Sequence, residues 1–84
     1  MVLEIKKEVL IMTVFVVGYK GTDTDEIIGV FTDIEKAKQV MHEDYEKTEF
    51  GYVPDEKYVE DNHIYISKTN DWNDEWYIVE KELQ

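Results

Sequence analysis

The chain has 84 residues, with 20 acidic side chains against nine lysines and a formal net charge of −11. This length favours one domain over two, the absence of cysteine excludes disulfides and thiolate metal sites, and no apolar run approaches the roughly 20 residues of a membrane span. The acidity argues against direct binding to nucleic acid or to an anionic membrane, since both need Lys or Arg.

The first eleven residues have the character of upstream message translated in frame. In KKEVLIM, residues 6–12, the codons for Lys-Glu-Val can carry the ribosome-binding sequence AGGAGG, and Met12 follows at the usual distance of a start codon. We therefore expect residues 1–11 to be disordered and residues 12–84 to form the domain. The alternative is that the apolar side chains of this segment add an edge strand or a helix.

Residues 13–19 and 26–32 are rich in β-branched and aromatic side chains, which favours two strands. The short connection between them, with Gly21 and two aspartates, predicts an antiparallel hairpin.

A helix is predicted from Thr32 to about Thr48. Thr32 is the expected N-cap and Glu35 stands three residues later, which is a capping box. Apolar residues then recur at helical spacing and form one stripe for packing. They are Ile34, Ala37, Val40, Met41 and Tyr45.

Residues 49–62 are the least regular segment, and we expect an ordered loop or a short helical turn near residues 55–59. Residues 63–67 alternate and predict a third strand. Residues 69–74 predict a turn, and residues 75–83 predict a fourth strand paired with the third. The order β-β-α-β-β predicts a two-layer α+β domain, with one helix on a four-stranded antiparallel sheet. The other sheet face is then either partly solvated or covered by a partner.

The stretch that begins at Asp71 partly matches the ligand pattern of a calcium-binding loop. Asp71, Asn73 and Glu75 fall at the first, third and fifth ligand positions, with Glu82 at the twelfth. Trp76, however, occupies the position that requires glycine, and the predicted flanks are strands rather than helices. A hairpin turn with solvated acids is the preferred interpretation.

Neither another metal site nor a catalytic group is predicted elsewhere in the chain. The carboxylates of residues 23–26 could hold magnesium loosely, but magnesium usually binds together with a substrate phosphate. The chain has no phosphate-binding glycine loop, so a polar hairpin tip is the preferred interpretation. His42 and His63 are isolated histidines, whereas a zinc site wants several His or Cys ligands. Ser67 is the only serine and no base is evident for it. We therefore expect no metal, no cofactor and no enzymatic activity.

Acidic residues concentrate in the second half of the chain. Residues 1–42 hold seven acids and five lysines, whereas residues 43–84 hold thirteen acids and four lysines. Carboxylates three or four apart on a helix lie about 5–6 Å from each other, which resembles the spacing of phosphates along a DNA strand. Tyr and Trp, common anchors at interfaces, are interleaved with these acids. The alternative is that the rings build the core and that the acids only keep the protein soluble. The predicted partner-binding residues are Glu35, Glu43, Asp44, Glu46, Glu49, Tyr52, Asp55, Glu56, Glu60, Asp61, Asp71, Trp72, Asp74 and Glu75.

With its small size, its charge, its lack of catalytic residues and the start signal in KKEVLIM, the chain resembles the small acidic proteins that lytic phages make early to take over host machinery. Several such proteins mimic DNA. The resemblance implies a cytoplasmic protein in a bacterial host that binds and inhibits a basic DNA-binding protein, with a histone-like nucleoid protein as the leading target. The alternative is a non-enzymatic interaction or regulatory module that binds through its open sheet face. A homodimer is compatible with that alternative.

Overall fold

One helix covers one face of a five-stranded antiparallel sheet in the computed structural model, which describes residues 12–69 and 72–83. The elements in chain order are β1 (Met12–Lys20), β2 (Asp25–Phe31), α1 (Ile34–Lys47), β3 (Glu56–Val59), β4 (His63–Lys68) and β5 (Trp72–Leu83). The α+β class is confirmed, but the predicted four strands are one too few. The prediction of disorder in residues 1–11 lies outside the described residues.

The strands lie in the order β2-β1-β5-β4-β3. Both predicted hairpins are present, β1 with β2 and β4 with β5. The hairpins are joined at the centre of the sheet, where β1 and β5 pair from Met12↔Leu83 to Lys20↔Glu75. This pairing brings residues more than 50 positions apart in the chain into direct contact.

Strand β3 lies where the sequence predicted an ordered loop or a short helical turn, near residues 55–59. All four of its residues are exposed, and it pairs only with β4, at the edge of the sheet. A short, charged segment after Pro54 carries no hydrophobic alternation, so its conformation depends on hydrogen bonds to β4 rather than on local sequence.

The helix begins one residue later than predicted. Asp33, not Thr32, is the N-cap, and its Oδ1 accepts a hydrogen bond of 2.9 Å from the backbone N–H of Glu35. The Glu35 side chain meets Lys38 at 3.4 Å. The end of the helix agrees with the prediction, since Thr48 is the C-cap. No helix in the described part of the chain is long and apolar enough to cross a membrane.

The core lies between α1 and one face of the sheet. Ala37 and Met41 of α1 are fully buried, as the predicted apolar stripe requires. They meet side chains that alternate along the central strands. Those fully buried strand side chains are Val17, Ile64, Ile66 and Trp76.

The face of the sheet opposite the helix carries apolar side chains. Val16 pairs with Val30 on one side and with Val79 on the other, and both partners are exposed. Nearby, a Cβ on Gly18 would lie 2.3 Å from Cζ of Tyr77. Gly18 is therefore required for the Tyr77 ring to lie across β1.

Replacing Asp33 with alanine should lower the free energy of unfolding by about 1 kcal/mol, because the first turn of α1 loses its side-chain acceptor. Thr32→Ala is the matched control and should change it by less than about 0.5 kcal/mol. Urea denaturation measures both variants. If Thr32→Ala lowers the free energy of unfolding more than Asp33→Ala does, Thr32 is the N-cap and the assignment to Asp33 is wrong.

Candidate partner-binding surface

Trp76 of β5 fixes the helix on the sheet. Its side chain is fully buried, and its Nε1–H donates a hydrogen bond of 2.9 Å to Asp44 Oδ2 on α1. Tyr19, Tyr45 and Phe50 surround the indole, with ring centroids 4.9, 5.4 and 6.1 Å away. A buried indole N–H needs an acceptor. Asp44, one of the predicted partner-binding residues, therefore has an internal role in this conformation.

Asp74 connects two tyrosines at the end of the sheet nearest the C-terminus of α1. The hydroxyl of Tyr19 donates to Asp74 Oδ1, and the hydroxyl of Tyr52 donates to Oδ2 at 2.5 Å. Burial, and then the hydrogen bond to Asp74, raise the pKa of both tyrosines. Both carboxylate oxygens of Asp74 are thus occupied, and they tie the segment after α1 to β1 and β5.

A cleft opens beside these tyrosines, with a volume of about 350 Å³. The β1–β2 loop, residues 48–52 and the start of β5 form its walls. Asp23 and Glu49 contribute exposed carboxylates to it, and Phe50 and Tyr52 contribute rings. Trp72 lies nearly parallel to Tyr52, with centroids 6.3 Å apart and planes inclined by 16°, yet it remains 51% exposed.

A second group of acids lies along α1 and the β3–β4 turn, and we call it the acidic surface. Lys38 Nζ contacts Asp61 Oδ2 at 2.7 Å and Glu35 Oε2 at 3.4 Å, which brings the turn against the helix. The ring of His42 approaches the Asp61 carbonyl oxygen at 3.1 Å. The acidic surface comprises Glu35, Glu43, Glu46, Glu60 and Asp61, all of them exposed.

The distribution of charge within the acidic surface is uneven. Lys38 pairs with Glu35 and Asp61, and it holds the pKa of Asp61 below its usual value. No lysine of the described residues lies within ion-pairing distance of Glu43, Glu46 or Glu60. Glu43 accepts a hydrogen bond of 3.1 Å from the side chain of Gln39, but no lysine of the described residues neutralises any of these three carboxylates.

The other predicted site residues do not join one surface. Asp55 accepts the backbone N–H of Thr69 at 2.9 Å, which lowers the pKa of its carboxyl group. Glu56 lies on the edge strand β3. Glu75 contacts His63 at 2.6 Å and pairs in register with Lys20, on the sheet face opposite the helix. Asp71 lies outside the described residues.

No group of three or more metal-ligating side chains occurs within residues 12–69 and 72–83. Asn73, Glu75 and Glu82, which were weighed as calcium ligands, lie on the extended strand β5. Glu75 and Glu82 are seven positions apart on the strand, so they point to opposite faces of the sheet. They cannot surround one ion without breaking the strand.

Sequence reasoning missed the roles of Tyr19, Asp23 and Phe50. Tyr19 was placed only in a predicted strand, and Asp23 was considered only as one of the carboxylates of residues 23–26 in the predicted hairpin loop. Their place in the site depends on the β1–β5 pairing, which brings Tyr19 to Asp74 across 55 positions. The exposed acid and rings near residues 49–52 gave a partial signal, because Glu49 and Tyr52 were among the predicted residues.

Alkaline pH should destabilise the protein through Tyr19 and Tyr52. Their pKa values are raised above the ordinary 10.0, so their contribution to stability is complete below pH 10 and decreases as the pH rises beyond it. Each of these two tyrosines should lower the free energy of unfolding by up to about 1.4 kcal/mol for every pH unit above 10.

Urea denaturation at pH 9, 10 and 11 measures this decline. The double variant Tyr19→Phe/Tyr52→Phe should have a shallower slope than the parent, whereas Tyr58→Phe, at an exposed tyrosine on β3, should not. Equal slopes in the parent and the double variant would contradict the role given to these two hydroxyls.

Comparisons with known proteins supply no relative for this chain. No protein-family model, no curated protein and no solved structure matches it. The functional argument therefore depends on the residues of the acidic surface and the cleft.

Proposed function

We propose that this protein is a non-enzymatic DNA mimic that binds and inhibits a basic DNA-binding protein of a bacterial host, with a histone-like nucleoid protein as the leading target. The observation that carries the proposal is the acidic surface, where Glu43, Glu46 and Glu60 are exposed without a lysine partner among the described residues. A surface of this kind attracts a basic cleft and speeds association with it.

The spacing of these acids supports mimicry of a phosphate backbone. Glu43 and Glu46 are three residues apart on α1, so their side chains emerge about 5–6 Å from each other. Successive phosphates along a DNA strand have a similar separation. At about 100° per residue, Glu35 and Glu46 also lie on the side of the helix that carries Lys38 and His42, facing Asp61.

The position of the acids on the helix supports a functional origin for them. Glu46 lies in the last turn of α1, where the helix dipole favours cations, and Lys47 is the basic residue there. Like charges at this spacing also repel. Both effects lower stability. Binding to a cationic partner explains why acids occupy these unfavourable positions, whereas a general need for solubility does not.

The double variant Glu43→Gln/Glu46→Gln should bind a histone-like nucleoid protein about tenfold more weakly at low salt, equivalent to about 1.4 kcal/mol. It should fold as well as the parent, because it removes the Glu46 charge that opposes the helix dipole and the repulsion between the two carboxylates. The measurement is displacement of a fluorescent DNA duplex from the purified nucleoid protein, repeated from 50 to about 300 mM salt.

The control is Glu26→Gln/Glu82→Gln, which changes the net charge equally on exposed residues of β2 and β5. It should retain most of the parent's affinity. If both doubles lose the same affinity, only net charge matters and the acidic surface is not the binding site. If the parent does not displace the duplex at any concentration, mimicry directed at this target is excluded.

A second candidate function is a protein-interaction module that uses the apolar sheet face. It is favoured by the row of Val30, Val16 and Val79 across three adjacent strands, in which Val30 and Val79 are exposed and Val16 is partly buried between them. Here burial of apolar side chains would drive association, so salt should have little effect. A second copy of this chain is one partner that such a face can accept.

Sedimentation velocity at low and high salt tests this second function for self-association. A homodimer through the face should become monomeric in Val30→Lys, because the lysine would place a charge in the contact. Val53→Lys is the control, since Val53 is 79% exposed in the loop before β3. A parent that sediments as a monomer at all concentrations would remove the homodimer.

A further inference from the structure

The cleft at the C-terminal end of α1 combines negative potential with an accessible aromatic ring. Its lining contains three carboxylates, on Asp23, Glu49 and Asp74, and no lysine among the described residues. Asp74 is occupied by the hydroxyls of Tyr19 and Tyr52. Asp23 and Glu49 are exposed and make no ion pair with a described lysine.

The helix adds to this negative potential. Thr48, the C-cap of α1, lines the cleft together with Glu49, so the C-terminal end of the helix lies beside it. The C-terminus of a helix carries about half of a negative charge. The cleft is therefore a favourable place for a cation and an unfavourable one for a carboxylate or phosphate.

Trp72 adds an accessible aromatic surface to the acidic side chains of the cleft. An indole that is 51% exposed leaves apolar area in contact with water, although Tyr52 lies parallel to one side of it. Lys68 is the cross-strand neighbour of Trp72, but its ammonium group does not lie over the indole ring. Among the described residues, the cation–π contact is that of Lys57 with Tyr45. Among aromatic side chains, Trp is the best acceptor of a cation–π contact.

We propose that this cleft accepts an arginine side chain of the basic partner protein. A guanidinium group is planar, so it can stack on Trp72 while its N–H groups donate to the carboxylates of Asp23 and Glu49. A lysine ammonium supplies charge without the planar stacking, and it is more strongly hydrated. The proposal rests on the proposed function and specifies the group of the partner that the acidic protein recognises.

Titration of the full chain with octa-arginine and octa-lysine peptides by calorimetry tests this site. The parent should bind octa-arginine several-fold more tightly than octa-lysine. Trp72→Ala should weaken octa-arginine binding about five- to tenfold and remove most of the preference for arginine. Tyr58→Ala is the matched control, because Tyr58 is 54% exposed on β3 and does not line the cleft. It should change the affinity less than twofold.

Asp23→Asn/Glu49→Gln provides a second variant that leaves the aromatic packing in place. It should weaken both peptides, with the larger loss for octa-arginine, and circular dichroism should report an unchanged fold. Equal affinities of the parent for the two peptides would overturn the proposal. So would equal effects of Trp72→Ala and Tyr58→Ala.

Failure of this site is distinguishable from failure of the proposed function. Glu43→Gln/Glu46→Gln changes the acidic surface and leaves the cleft intact. If that variant loses DNA displacement while Trp72→Ala binds octa-arginine like the parent, the function stands and the arginine site is wrong. If no DNA displacement occurs but peptide binding depends on Trp72, the arginine site stands and the nucleoid target is wrong.

Discussion

The buried indole of Trp76 is the contact on which the rest of the structure depends. It lies on β5 at the centre of the sheet, and the hydrogen bond from its Nε1–H to Asp44 fixes the C-terminal half of α1 above that strand. Tyr45 and Phe50 then pack on the same ring, which sets the course of the chain after the helix. The position of the cleft follows, because residues 48–52 form one of its walls.

The acids of this chain divide into groups with different physical roles. Asp33, Asp44 and Asp74 accept hydrogen bonds that define the helix start, the buried indole and the tyrosine pair. Others, such as Asp61, are paired with a lysine. Net charge alone therefore overstates the charge available to a partner. The exposed carboxylates on α1 and at the cleft that have no lysine partner among the described residues are the part of the charge that we assign to a partner.

Local patterns predicted what local physics determines. The apolar stripe of α1 and the alternation of β4 gave correct elements, because burial on one face imposes a period on the sequence. The N-cap was misassigned because Thr32 and Asp33 are both good caps, and only the geometry selects between them. Strand β3 and the Tyr19–Asp74 contact depend on pairing between distant segments, which spacing along the chain does not encode. The predicted site list mixed internal and outward-facing acids for the same reason.

The two candidate surfaces make opposite demands on a partner. The valine row on the open sheet face would associate by burying apolar area, and a second copy of the chain would bring another net charge of −11 close to the first. That repulsion weakens self-association at low salt. A basic protein meets no such penalty, and both the acidic surface and the cleft attract it. At physiological ionic strength the screening length is about 8 Å, so salt weakens the long-range attraction exerted by exposed carboxylates. The aromatic contact that we propose at Trp72, which lines the cleft together with Glu49, would depend less on salt.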